Sequence, residues 1–375
     1  MWKSTTRSNC LRSLQAASSR NNSSTQALLF CRTSSMVEKP STSAALSQPD
    51  GQTRNLSDLK FLVNLTDTVF RGKYHGRRKH EDDLQAVLSR SQAAGVKSMI
   101  ITGGSLHESA QALQLAKKHG LYATVGCHPT CSTEFDKHPA GPDAYLQKLD
   151  TLIQSNLTGP GRVVAVGECG LDYDRTHFAS PDVQRKYFRI QLTMAKKYHL
   201  PLFLHSRSAH EDFVKILREE GFGVDGGRQV GGKGGVVHSF TGTVVECEEY
   251  TSMGFYVSLN GCSMKTDGNL LAAKTISLDR IILETDAPWC SMTSTHASRR
   301  HLDSLPSDLR EIFLPPSTKP ENFQHGKMVK GRNEPCTIGA VAWVVHKIHE
   351  GVTYEELVGR AWLNTVELFE LHEIA

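Results

Sequence analysis

Beyond residue 57 the apolar positions gather in short runs, and after each run apolar residues return every three or four positions. The runs predict strands at Phe61–Leu65, Val96–Thr102, Leu121–Gly126, Val163–Gly167, Pro201–His205, Gly235–Ser239, Phe255–Leu259 and Arg280–Thr285. The stretches between them predict amphipathic helices. Leu84, Val87 and Leu88 share one face ahead of Gly95, Leu113 and Ala116 do so ahead of Gly120, and Val183, Tyr187, Ile190 and Met194 follow a 4-3-4 spacing. Glycine past the last apolar position suits helix termination, because no Cβ opposes a left-handed turn. Alternation of strand and helix over some 320 residues predicts an α/β fold, a (β/α)8 TIM barrel. An open doubly wound sheet is the alternative, but "GKYHG" and "GGSLHE" are poor versions of its phosphate loop, and "GVDGGRQVGGKGG" reads as a flexible loop with no helix behind it.

The ends of these runs are chemically odd. "VVAVGECGLDYD" carries an apolar strand into a carboxylate, Glu168. A strand that apolar is covered on both faces, and a lone buried carboxylate would cost several kcal/mol unless a cation met it. "PLFLHSRSAH" ends its strand on His205, "GGVVHSFTG" on His238, and "RIILETDAPW" on Asp286. In a barrel the C-terminal strand ends share one mouth. Two imidazoles and two carboxylates there form a ligand set for a divalent metal such as Zn, Mn or Mg. With no cysteine among them, the set is not that of a structural zinc site.

Ten segments, "TGGSLHES", "VGCHPT", "VGECGLDYD", "FLHSRSAHEDF", "HSFTGT", "GCSMKT", "ETDAPWC", "THAS", "GRNEPC" and "NTVELF", occur in the order found in TatD-type deoxyribonucleases. The chain resembles that family from about Asn64 to Phe369. The resemblance implies a TIM barrel of the metal-dependent hydrolase superfamily that cleaves DNA phosphodiesters, often from the 3′ end. It implies two divalent ions held by Glu168, His205, His238 and Asp286, with Glu168 bridging them and Asp286 also taking a proton from the attacking water. His128 in "GCHP" matches a family histidine that touches the scissile phosphate. Arg207 and Lys265 are candidate phosphate contacts, with His210 a further one. The implied substrate is single-stranded DNA or DNA 3′ ends, met by a monomer.

Three departures stand out. The wider superfamily opens with a histidine pair on strand one, whereas this chain has Asn64 and Thr66 in "VNLTD". Lys60, Phe61 and Leu62 replace the "DIG"-like lead-in, and Ser208 stands where many relatives carry Asp. These leave two other readings open: a different hydrolase on the same scaffold, or a barrel that binds nucleic acid without cutting it. The segment 291–335 reads as a lid-sized loop whose Arg299, Arg300, Lys327, Lys330 and Arg332 face the DNA backbone, with Arg332 and Glu334 fastening it to the barrel.

Charge changes the picture at the N-terminus only. The net charge is +4, but residues 1–37 hold five basic residues and no acid, so the remainder stands at −1. Nucleic-acid contact must therefore come from a local patch. A Ser-, Thr- and Arg-rich opening without acids is the composition of a mitochondrial presequence, and residues 1–56 read as presequence and linker ahead of a domain at 57–375. Read as a tail, or as sequence ahead of a start at Met36, the same segment leaves the chain in the cytoplasm or nucleus. Nine scattered cysteines without a CxxC pair argue for free thiols, and no apolar stretch reaches the 18 residues a membrane span needs.

Overall fold

The computed structural model describes residues 59–371, so the expectation for residues 1–56 lies outside the described residues. Eight parallel strands run in chain order around one sheet: β1 Leu59–Val63, β2 Val96–Ile101, β3 Tyr122–Val125, β4 Val163–Asp172, β5 Leu202–Arg207, β6 Gly235–Val237, β7 Tyr256–Leu259 and β8 Ile281–Leu283. β1 pairs with β2 from Leu59 opposite Val96 to Val63 opposite Ile101. The segments that follow the first and last strands meet where the Asn64 N–H donates to the Ala287 carbonyl at 2.8 Å, joining the two edges of the curled sheet at the barrel mouth. Every predicted strand is present. β1 ends two residues early because the Asn64 N–H turns to the β8 loop, and Asp67 then caps a short 3-10 turn over Thr68–Arg71.

Helices α1 Leu84–Ala93, α2 Leu106–His119, α3 Pro142–Gln154, α4 Pro181–Tyr198, α5 His210–Glu219, α6 Val244–Ser252, α7 Asp267–Thr275, α8 Ile338–Ile348 and α9 Tyr354–Phe369 cover the sheet. The glycine-rich segment folds into 3-10 turns over Asp225–Val230, with Gly226 and Gly227 buried, rather than an open loop.

Strand alternation divides the core in two. Met99, Ile101, Leu202, Leu204, Val237, Ile281 and Leu283 join one large apolar cluster with the helices. Their neighbours Ile100, Phe203, Val236 and Ile282 form a second cluster with Val164 and Tyr256, the barrel interior. Counting on by two from that interior set reaches His205, His238, Glu284 and Asp286. The period of the strand, not chance, aims these side chains into the mouth.

The segment after β8 is fastened as predicted. Arg332 donates to both oxygens of Asp83 at 2.7 and 2.6 Å and to Glu334 at 2.8 Å, and Arg90 donates to Glu334 at 2.7 Å. All three acid and base partners at the centre are buried. Between them Asn333 holds the β8 loop, through its N–H to the Pro288 carbonyl and its amide to the Thr285 carbonyl, both at 2.9 Å. Arg332→Ala would leave Asp83 buried without its pair. We expect it to cost about 3–5 kcal/mol in a urea unfolding titration.

Candidate active site

A cavity of about 1140 Å³ opens at the C-terminal ends of the strands. Glu168, His205, His238, Asp286 and His128 all line it. Glu168 sits at an irregularity of β4, where the register with β5 slips between Val166 and Cys169. The glycines around it allow this. Gly167 and Gly170 hold φ of +141° and +144°, and a Cβ on them would fall 2.2 Å from the Phe203 carbonyl oxygen and 1.9 Å from that of His205. A side chain at either position would push β5 away.

Three imidazoles surround the Glu168 carboxylate. Its Oε1 lies 2.7 Å from His238 Nε2, 2.9 Å from His205 Nδ1 and 3.3 Å from His128 Nε2. His205 Nδ1 and His238 Nε2 are 3.2 Å apart. Burial works against ionising Glu168, yet His238, His128 and His205 hold its pKa well below the usual carboxylate range. Burial likewise opposes charge on His238, but Glu168 and Glu284 hold its pKa well above that of a free imidazole. A proton thus occupies the place where a cation would neutralise the carboxylate.

The donor set fits a divalent metal. Ligands about 2.0–2.1 Å from a tetrahedral zinc stand roughly 3.3 Å from one another. The observed separations of 2.7, 2.9 and 3.2 Å approach that value. The outer partners agree. Asp172, fully buried, stands 3.3 Å from His205 Nε2 and would hold the proton there when a metal takes Nδ1. Glu284, also fully buried, stands 3.6 Å behind His238 Nδ1 and accepts from the Ser239 N–H and the Asn260 amide. Neither Asp172 nor Glu284 was singled out from the sequence. Asp172→Asn is expected to weaken metal binding about 10–100-fold without unfolding the chain, read by metal titration beside a thermal melt.

Asp286 lies on the cavity wall, outside the tight Glu168–His205–His238 cluster. Its Oδ1 accepts from the Asn64 amide at 2.8 Å and its Oδ2 from the Cys290 thiol at 3.3 Å. Asn64, in the place of the superfamily's first-strand histidine, therefore orients a carboxylate. Burial pushes the Asp286 pKa up to about 7. Burial also drives His128 down to about 3, so it is neutral. Its Nδ1 accepts from the Thr130 N–H at 3.2 Å, which leaves an Nε2–H facing Glu168 Oε1 at the cavity floor.

The cavity wall carries Arg71, Lys118, Arg175, Arg207 and Lys265, so Arg207 and Lys265 line the same space as the Glu168 cluster. His210 is not. It opens α5 and turns to Glu249 at 2.6 Å and Tyr250 at 3.0 Å, in a smaller neighbouring cavity. Segment 291–335 supplies none of the lining residues. Arg332 is buried on Asp83, while Arg299 and Arg300 pair with Asp303 and Asp267.

The sequence model of the family described as TatD related DNase matches residues 72–370. The Deoxyribonuclease Tat-D of Schizosaccharomyces pombe is 44% identical over 307 residues, covering 81% of this chain and 93% of the yeast protein. The 3'-5' ssDNA/RNA exonuclease TatD of Erwinia tasmaniensis is 34% identical, over 82% of this chain and 98% of its own. The crystal structure of a TatD family hydrolase from Entamoeba histolytica superposes with a TM-score of 0.73 at 30% identity, over 84% of this chain and 98% of its own.

Proposed function

This chain belongs to the TatD-related DNase family, and we propose that it is a divalent-metal-dependent deoxyribonuclease that removes nucleotides from the 3′ ends of single-stranded DNA. The observation that carries this reading is the Glu168 carboxylate ringed by His205, His238 and His128 within 3.3 Å, at the base of a cavity walled by five cations. Glu168, His205, His238 and Asp286 would hold the metal. A divalent metal supplies Lewis acidity here, neutralising phosphoryl oxygens and lowering the pKa of water.

The chain's own groups do the rest. Asp286, with its raised pKa, accepts the proton of the attacking water, and Asn64 keeps its carboxylate aimed. The His128 Nε2–H donates to the phosphate oxygen on which charge builds. Arg207 offers a two-pronged contact to a phosphate and Lys265 a point charge. Trp289, 56% exposed on the cavity rim, gives an unpaired base a face on which to stack. All these groups come from one barrel, which supports action as a monomer. The acid-free opening of the chain supports import into mitochondria. No helix among the described residues is long and apolar enough to cross a membrane.

The test is release of a 3′ label from a single-stranded oligonucleotide in Mg²⁺ or Mn²⁺, with EDTA as the control. Stepwise loss from the 3′ end, abolished by EDTA, is expected. A folded chain that hydrolyses aryl esters but no phosphodiester would sink the reading.

A further inference from the structure

Three cysteines line the same cavity, Cys131, Cys262 and Cys290, and the last two stand side by side with no part in that reaction. Cys262 lies in the 3-10 turn Cys262–Met264 after β7, and Cys290 follows β8. Their loops are pressed together. A Cβ on Gly261 would fall 2.0 Å from the Cys290 carbonyl oxygen, so glycine there is what lets the two segments meet. The neighbouring Cys290 thiol, and after it the cations Lys265 and Arg207, draw the Cys262 pKa down to about 6. Cations beside a thiol favour the thiolate, the form that attacks an oxidant. Burial does the opposite to Cys127, Cys169, Cys247 and Cys336, which lie in the core. Cys290 has a second attachment: its Sγ donates to Asp286 Oδ2 at 3.3 Å.

We infer that Cys262 and Cys290 are an oxidation site, which a peroxide converts to a disulfide and which in that state shuts the neighbouring active site. The Cys262 thiolate attacks one peroxide oxygen, the O–O bond breaks, and the departing hydroxide leaves as water with one proton. The Cys290 thiol then attacks the resulting sulfenic sulfur. An S–S bond forms, the S–O bond breaks, and a second water leaves with the Cys290 proton. Two thiols and one hydrogen peroxide thus give one disulfide and two waters. The two electrons lost by sulfur reduce the peroxide. Once bonded to Cys262, the Cys290 sulfur has no hydrogen to give Asp286. The crosslink also ties the β7 and β8 loops together across the wall between Lys265 and Asp286. The inhibitory half rests on the nuclease reading, whereas the crosslink itself does not.

The experiment treats the reduced full-length chain with limiting hydrogen peroxide, then alkylates and digests it for mass spectrometry. Metal-dependent cleavage is followed in parallel. A peptide pair joined through Cys262 and Cys290, short of two hydrogens, is expected, together with a severalfold loss of cleavage that dithiothreitol reverses. Cys262→Ser, compared with its own untreated rate, should form no such pair and keep its rate through peroxide. Oxidation confined to other cysteines, or sulfinic acid at Cys262 without a crosslink, overturns the proposal. A crosslink with an unchanged cleavage rate overturns its inhibitory half. A chain that crosslinks but never cleaves DNA supports the thiol site and counts against the nuclease instead.

Discussion

Replacing Glu168 with alanine is expected to end metal binding and DNA cleavage together while leaving the barrel folded. Oxygen Oε1 is the point on which His238, His205 and His128 converge, at 2.7, 2.9 and 3.3 Å. Without it the site keeps its imidazoles and Asp286 but loses the one carboxylate that all three histidines face. Losing a mere outer partner costs metal sites about 10–100-fold in affinity, so losing this group must cost more. The barrel should stay folded but lose some stability, because Glu168 and His238 hold each other charged and removing one partner of a buried pair is costly. Glu168→Gln separates shape from charge. It keeps the amide oxygen near the histidines, and its affinity should fall between wild type and the alanine variant. A manganese titration beside a thermal melt checks both. Wild-type manganese affinity in Glu168→Ala would place the metal elsewhere in the cavity.

What could be read from the sequence followed the strand period. His205, His238 and Asp286 sit at positions whose parity matches Phe203, Val236 and Ile282 in the barrel interior, so the run and its last residue together give the direction. Glu168 was legible because a carboxylate after four apolar residues has to be accounted for. Asp172 was lost for a local reason. Gly167 and Gly170 look like the end of a strand, whereas in the fold they let β4 pass close to β5 and continue to Asp172. Extending the alternation through Glu168, Gly170 and Asp172 would have found it. Glu284 and the Asn64 contact had no such signal, since their partners lie 46 and 222 positions away. His210 misled for the same reason. It stands five residues after a site histidine, but its partners Glu249 and Tyr250 belong to α6. The cations of 291–335 look alike in sequence. Only the pairing of Arg332 with Asp83, across 249 positions, tells an anchor from a DNA contact.

Asp286→Asn is expected to lower turnover by about 10²–10⁴-fold, the usual worth of a positioned general base, and at the same time to stabilise the metal-free protein. The two effects have one origin. Burial raises the Asp286 pKa to about 7, far above its unfolded value. A carboxyl group raised in this way favours the fold fully below its unfolded pKa, and that contribution is lost as pH rises through about 7. Above that pH the ionised group opposes folding, by a few kcal/mol at most. Asparagine carries no such charge. It still accepts from Asn64 through Oδ1, and loses only the acceptor that faces Cys290. In EDTA at pH 8 the variant should therefore melt higher than wild type, and at pH 5 the difference should shrink. Metal binding reports the same proton. In wild type a cation must displace the proton of Asp286 as well as that of His238, so affinity falls as pH drops through about 7. In the variant the slope of log affinity against pH should fall by up to one proton. Unchanged turnover in Asp286→Asn would remove this residue from the proton path. A lower melting temperature in EDTA at pH 8 would mean that Asp286 is held ionised by a partner other than the metal.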